Sequence, residues 1–136
     1  MRLTAFTDFG LRVLMRLAGA PEKMFTTGEL ATELDISRNH LAKVVQDLAR
    51  AGYIETRRGA GGGFRLAMPA GSITLGGVAR FLEKQNPLVE CFRSDGGSCT
   101  LTPHCRLKSR LAGARDAFLA ELDSTTLAEC AWPDDG

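Results

Sequence analysis

The chain of 136 residues has no run of about 18 apolar residues, the length a membrane-spanning helix requires. Its first residues, MRLTAFTDFGLRVLMRLAG, mix arginines and an aspartate into the apolar ones, so a secretory signal's apolar stretch is absent. It carries no internal repeat and no low-complexity tract, which argues against a solenoid or a disordered tail protein. It has little net charge, +1, and few cysteines, four in all. A cytoplasmic location is expected, where thiols stay reduced and clustered cysteines are more often ligands or redox centres than staples.

Hydrophobic residues make up 44% of the chain, enough to bury a core, and the length suits one compact domain or one domain plus an appendage. The small net charge is unevenly spread. Residues 1–68 hold ten Lys/Arg and seven Asp/Glu, net +3; residues 69–136 hold seven and nine, net −2. A modestly basic N-terminal half suits nucleic-acid binding without demanding it.

Residues 7–19 read as an amphipathic helix, with Phe6, Val13, Leu14 and Leu17 near one face and Gly19 and Pro21 at its end. Thr26 opens TTGEL, a Thr-x-x-Glu capping box with Glu29, for a short helix to about Leu34. Ser37 caps a third helix whose apolar Leu41, Val44, Val45 and Leu48 form a stripe, and Gly52 ends it. Two strand-like runs, 53–57 and 64–67, flank a glycine-rich tip. A fourth helix is expected over about 74–83. Thr102 as cap and Pro103 in the first turn then predict a long helix to about Asp123. A short turn, TLAEC, precedes an acidic tail, WPDDG, that is expected to fray.

Helix, short helix, tight turn, helix and hairpin is the order of a winged helix-turn-helix. The fold class expected is therefore mainly α with a small β-hairpin wing, plus a long C-terminal helix for dimerisation. Three parts follow: residues 1–70 as the DNA-binding domain, 71–101 as a linking helix and cysteine loop, and 102–136 as the dimerisation helix and tail. The third helix starts with Ser37, Arg38, Asn39 and His40, all donors, while its other face is apolar. A recognition helix needs that division, since its N-terminal residues touch base edges and its opposite stripe packs inward. Arg can bond guanine bidentately and Asn adenine. Lys43, one turn on, can reach phosphate. Arg57, Arg58 and Arg65 surround the glycine tip, where Gly62 lets backbone approach a phosphate or the minor groove. Thr26, at the start of the second helix, completes the candidate DNA contacts. A solvated hairpin is the bland alternative for the wing, and a plain helix-start residue that for His40.

Three of the four cysteines lie in sixteen residues, ECFRSDGGSCTLTPHC, separated by seven residues and then five. No Cys-x(2–4)-Cys knuckle of a structural zinc site is present, and ferredoxin spacings are missed. Gly96 and Gly97 nevertheless let a loop wrap an ion or cluster, and Cys105 in the first turn of the long helix lies where the helix dipole favours a thiolate. Three sulfurs leave one position open, for which His104, Cys130, Asp8, water or a small thiol are candidates. The plain alternative is three ordinary reduced thiols.

LTAFTDFGLRVLMRLA, ISRNHLAKVVQDLARAGYIETRRGAGGGFRLA, CTLTPHCRLK and AFLAELDSTTLAE together resemble the winged-helix iron–sulfur regulators of the NsrR/IscR type, over essentially the full length. They are most similar to the nitric-oxide-responsive branch. The resemblance implies a homodimeric DNA-binding repressor that holds an iron–sulfur cluster, [4Fe–4S] with [2Fe–2S] as the alternative, through Cys91, Cys99 and Cys105. It also implies a carboxylate ligand from the partner subunit, matched here by Asp8 in TDFG. An aspartate in a helix's first turn is equally stabilised by the dipole without any metal. The IscR branch has a histidine three residues after the last cysteine; Lys108 stands there instead. The seven-residue spacing and the ECF start also occur in the iron-responsive RirA branch, which leaves an iron- or redox-responsive repressor as an alternative.

Leu107, Leu111, Ala114, Phe118 and Leu122 form an apolar stripe along the long helix, as a dimer contact would need. A two-fold dimer reads a near-palindromic operator with half-sites one helical turn, or a multiple, apart. Nitric oxide as the signal would attack iron on the side of the hard carboxylate. Rival readings are a zinc-stabilised DNA-binding protein, a metal-free thiol switch, and an enzyme using Cys105 and His104. The last is disfavoured, since adjacent residues at a helix start rarely face each other and no orienting carboxylate or oxyanion donor set is evident.

Overall fold

A computed structural model describes residues 2–102 and 104–133. The described elements are α1 (Ala5–Ala18), α2 (Thr27–Leu34), α3 (Arg38–Arg50), β1 (Ile54–Arg57), β2 (Gly63–Leu66), α4 (Leu75–Leu82) and α5 (Arg106–Asp123). Short 3-10 turns occupy Ala70–Ser72, Glu90–Phe92 and Leu127–Cys130. The architecture is the expected one: mostly helical, with a two-stranded antiparallel wing after the helix-turn-helix.

Local chemistry sets most of these boundaries. Thr4, Ser37 and Thr74 each accept a backbone N–H three residues on, and Thr26 and Glu29 form both halves of a capping box. Each such cap contributes about 0.5–2 kcal/mol. Gly52 takes φ +88° as α3 stops, and Tyr53 N–H then reaches back to the Leu48 carbonyl at 3.0 Å. This is the left-handed exit that glycine allows. The wing pairs Ile54 with Leu66 through Arg57 with Gly63. Its second strand also bridges Phe25, just before α2: Phe25 N–H donates to the Phe64 carbonyl and Phe64 N–H to the Phe25 carbonyl, at 2.9 and 2.8 Å. Gly63 lies at φ +140° against the Phe25 backbone, where any Cβ would collide.

The core forms around α1. Val13, Leu14 and Leu17 are buried against Leu41, Val44 and Leu48 of α3, and α4 covers the other side with Val78 and Leu82. A Cβ on Gly10 would come 2.5 Å from Leu82 Cδ1, so the absence of a side chain there sets how closely α1 and α4 approach. The chain returns to this core after α5. Thr126 bridges Thr74, Leu127 N–H donates to the Ile73 carbonyl at 2.8 Å, and Leu127 itself is fully buried.

Two expectations are corrected. Thr102 does not cap the long helix. The Leu101 carbonyl accepts from His104 N–H at 3.1 Å, ahead of the helix. α5 starts at Arg106 with Cys105 as its N-cap, without a side-chain cap bond. Pro103 lies outside the described residues. The tail is not loose at Trp132, whose N–H donates to the Met15 carbonyl at 2.9 Å, docking it on the end of α1. Residues 134–136 of WPDDG lie outside the described residues.

Leu127→Ala should lower unfolding free energy by about 2–5 kcal/mol, read from the midpoint of urea unfolding. A loss under 1 kcal/mol would show that the return of the chain after α5 adds little to the core.

Candidate DNA interface and cysteine loop

The recognition face is read from what α3 leaves in solvent. Arg38, Asn39 and Lys43 are exposed, and so are Ala42 and Gln46 on the same side. Ala42 and Gln46 were not picked out by sequence reasoning. Their signal was present, because 39, 42, 43 and 46 recur at the three-to-four-residue spacing of one helix face. Gln46 offers the amide that bonds adenine, and Ala42 the methyl that meets thymine. Ser37 is exposed, but its hydroxyl accepts from His40 N–H at 3.2 Å and so holds the helix start. The His40 ring turns back to α1, edge-on to Phe9 at 4.8 Å between centroids and stacked near Phe6 at 6.0 Å.

Thr26 is exposed at the N-terminus of α2. Its cap bonds are to Glu29, whose carboxyl is held below its usual range mainly by the Lys23 ammonium bonded to it. The Arg38 guanidinium lies over Gly28, where a Cβ would sit 2.8 Å from Nη2. A helix N-terminus and an arginine thus share one edge, an arrangement suited to a phosphate. On the wing, Arg57 and Arg58 are exposed and make no ion pair among the described residues. Arg65 is half-buried, and its Nε donates to Glu55 across the strand pair at 2.6 Å. Gly62 closes the tip, its N–H donating to the Gly59 carbonyl at 3.0 Å, with the Arg57 carbonyl packed where a Cβ would stand.

Cys91 sits in the 3-10 turn after α4, Cys99 at the far side of the loop, and Cys105 at the cap of α5. All three are half-buried and outside any disulfide, as is Cys130, which lies in a turn packed on α1. Among the described residues, no three Cys, His, Asp or Glu side chains converge as a ready ligand set. What is built is the frame that carries the thiols. Glu90 accepts from Ser98 N–H at 2.7 Å and from the Ser98 hydroxyl at 2.8 Å, closing the loop between its first two cysteines. These bonds hold the Glu90 carboxyl below its usual range, the backbone bond first. Gly97, at φ +66°, packs on Glu90 so closely that a side chain would not fit. Arg115 of α5 lies over the Phe92 ring at 4.7 Å. Sequence reasoning missed Glu90, because an eight-residue pairing of glutamate and serine has no periodic signature.

The donor chemistry suits an iron–sulfur group: soft thiols on a glycine loop, beside a buried Thr102 hydroxyl with no bonding partner among the described residues. Asp8 is half-exposed in the first turn of α1 and takes both arms of the Arg12 guanidinium, at 2.9 and 3.0 Å. His104 is exposed.

A polar-edged helix seated in a helix-turn-helix, followed by an arginine-bearing hairpin, defines a winged-helix DNA-binding regulator of transcription. The chain belongs to the Rrf2 family, described as iron-dependent transcriptional regulators, whose model matches residues 3–131. Members of that family regulate transcription and are not enzymes, and this chain is read likewise. It is 45% identical over 130 residues to the HTH-type transcriptional regulator NsrR of Geobacillus kaustophilus (strain HTA426), covering 95% of this chain and 88% of that one. Among solved structures it is similar to CymR (YrzC), the global cysteine regulator of B. subtilis. There the TM-score is 0.75 and the identity 28%, over 98% of this chain and 99% of the other. IscR of T. potens matches in fold, with a TM-score of 0.72 at 24% identity over 94% and 84% of the two chains.

Glu90→Ala should speed amide hydrogen exchange at Gly97 and Ser98 while leaving α3 amides unchanged; unaltered exchange in the loop would rule out the Glu90 staple. Gln46→Ala should cost about 1–3 kcal/mol of operator affinity, the size of one good base contact, measured by fluorescence anisotropy at fixed salt. Arg58→Ala should instead weaken specific and non-specific binding together and flatten the salt dependence.

Proposed function

We propose that this chain is a homodimeric repressor that senses nitric oxide through an iron–sulfur cluster, taken as [4Fe–4S]. Cys91, Cys99 and Cys105 hold the cluster, and Asp8 of the partner subunit completes it. The observation that carries the reading is the 45% identity to NsrR across 95% of the chain, together with three cysteines outside any disulfide around one loop. The family description names iron, which favours iron over zinc at these sulfurs.

The chain's own residues supply the rest. α5 has no buried residue in its 18 positions, and Leu107 on its apolar stripe is 60% exposed. A second copy of the helix would cover that stripe. Arg38, Asn39, Lys43 and the wing's Arg57, Arg58, Arg65 and Gly62 then meet each half of a near-palindromic operator, with Thr26 and Ser37 at the two helix starts. The His40 ring supports this surface from behind, against Phe6 and Phe9. When bound, the cluster supplies iron that takes nitric oxide. Asp8 has a partner on its own helix, Arg12, which would hold its carboxylate whenever it is not serving as a ligand. Its helix also packs on α3, so a change at Asp8 is felt at the DNA-reading face. Taking a repressor from 99% bound to 1% bound requires about 5.5 kcal/mol of differential binding.

A second reading, an iron-responsive repressor, draws on the same family description. One experiment separates the two. Anoxically purified protein should be brown, contain iron and acid-labile sulfide, and retard operator DNA. Nitric oxide should abolish retardation within one addition, whereas an iron chelator alone should not. Release by chelation with indifference to nitric oxide selects the second reading. Colourless, iron-free protein that binds the operator fully rejects both.

A further inference from the structure

Glu83 ends α4 and is the last helical-cap residue before the cysteine loop. Its carboxylate accepts from the Thr4 hydroxyl at 2.6 Å, from Thr4 N–H at 3.3 Å, and from the Thr7 hydroxyl. Thr4 is the N-cap of α1, and its own oxygen accepts from Thr7 N–H at 3.2 Å. Thr7 has no solvent exposure and is the one buried polar side chain among the described residues. A carboxylate thus stands at the positive end of α1 and satisfies a hydroxyl that water cannot reach.

The neighbours on both sides of this clasp give it a role. One turn into α1, Phe6 and Phe9 hold the His40 ring, in the first turn of α3 beside Arg38 and Asn39. Arg80, one turn back on α4, forms two bonds to Asp123 of α5, one at 2.9 Å. Beyond Glu83 the chain turns at once, Asn86 N–H donating to the Glu83 carbonyl at 2.8 Å, and runs into Cys91. The clasp is therefore the polar joint between the segment bearing the cysteines and the helix that supports the DNA-reading face.

We infer that Glu83 is a positioning residue: through Thr4 and Thr7 it couples the state of the cysteine loop to the pose of the start of α3. This rests on the reading that a cluster on that loop controls operator affinity. The Glu83 carboxylate bonds Thr4 and Thr7, not the thiols. Removing its grip on Thr7 uncouples the two ends and leaves each end otherwise intact.

The test compares wild type with Glu83→Gln, Thr7→Val and Thr7→Ser, each prepared anoxically with the cluster and again after its removal. Iron per chain, thermal midpoint and operator Kd are measured in both states. The readout is the ratio of cluster-free to cluster-bearing Kd, which a loss of stability alone does not move. Glu83→Gln and Thr7→Val should keep wild-type iron and lose at least about tenfold of that ratio, within the usual range of coupling between sites. Thr7→Ser, which keeps the hydroxyl, should retain the ratio. A wild-type ratio in both Thr7→Val and any folded Glu83→Gln overturns the inference. So does loss of iron in Glu83→Gln, since the residue would then act by retaining the cluster. A ratio of one in the wild type instead sinks the underlying reading of cluster control.

Discussion

The apolar face of α1 is sealed by α3 on one side and α4 on the other, with Val13, Leu14 and Leu17 excluded from water. That burial dictates most other placements. With α3 fixed by Leu41, Val44 and Leu48, its opposite face is the one in solvent, and Arg38, Asn39 and Lys43, the candidate DNA contacts, lie there. With α4 brought against Gly10, its far end arrives at the cap of α1 and its outer side at α5. A helix whose centre is dry and whose ends are polar can respond at those ends without dissolving the core, because packed interiors tolerate little deformation.

The parts legible in the sequence are those whose causes are local. Four helix starts carry a threonine or serine three residues before the amide it receives, and four apolar positions on α3 repeat at helical spacing. The wing announces itself by glycines between two short apolar runs. What sequence reasoning missed depends on distant partners. Glu83 meets Thr7 across 76 positions, and Phe25 pairs with Phe64 in a strand contact that neither neighbourhood predicts. Thr-Pro resembles a helix entry, yet α5 starts only at Arg106, after His104 N–H has bonded to the Leu101 carbonyl. His40 reads as one more donor after a cap. Yet each helical residue advances by about 100°, so the third position of α3 already turns toward α1 while the first two face outward.

The cysteine loop differs in kind from the module it joins. The winged portion is held by burial of large side chains. The loop is held by a few polar bonds, Glu90 with Ser98 and Arg93 with Asp95, and by a single stacked arginine on Phe92. Segments with few buried apolar contacts open at low free energy. Thiols carried on such a frame can shift position at low cost, and the hydrophobic core beneath α1 and α3 keeps its packing while they do.

Trp132 is the chain's single tryptophan, 60% exposed, and its amide is fastened to the carbonyl of Met15 at the end of α1. Nature has thereby placed one fluorophore on the DNA-binding module, outside the sulfur-bearing loop. Its emission reports how the segment after α5 seats on the end of α1. A titration followed by that light separates loosening of the module from chemistry at the thiols, with no dye attached.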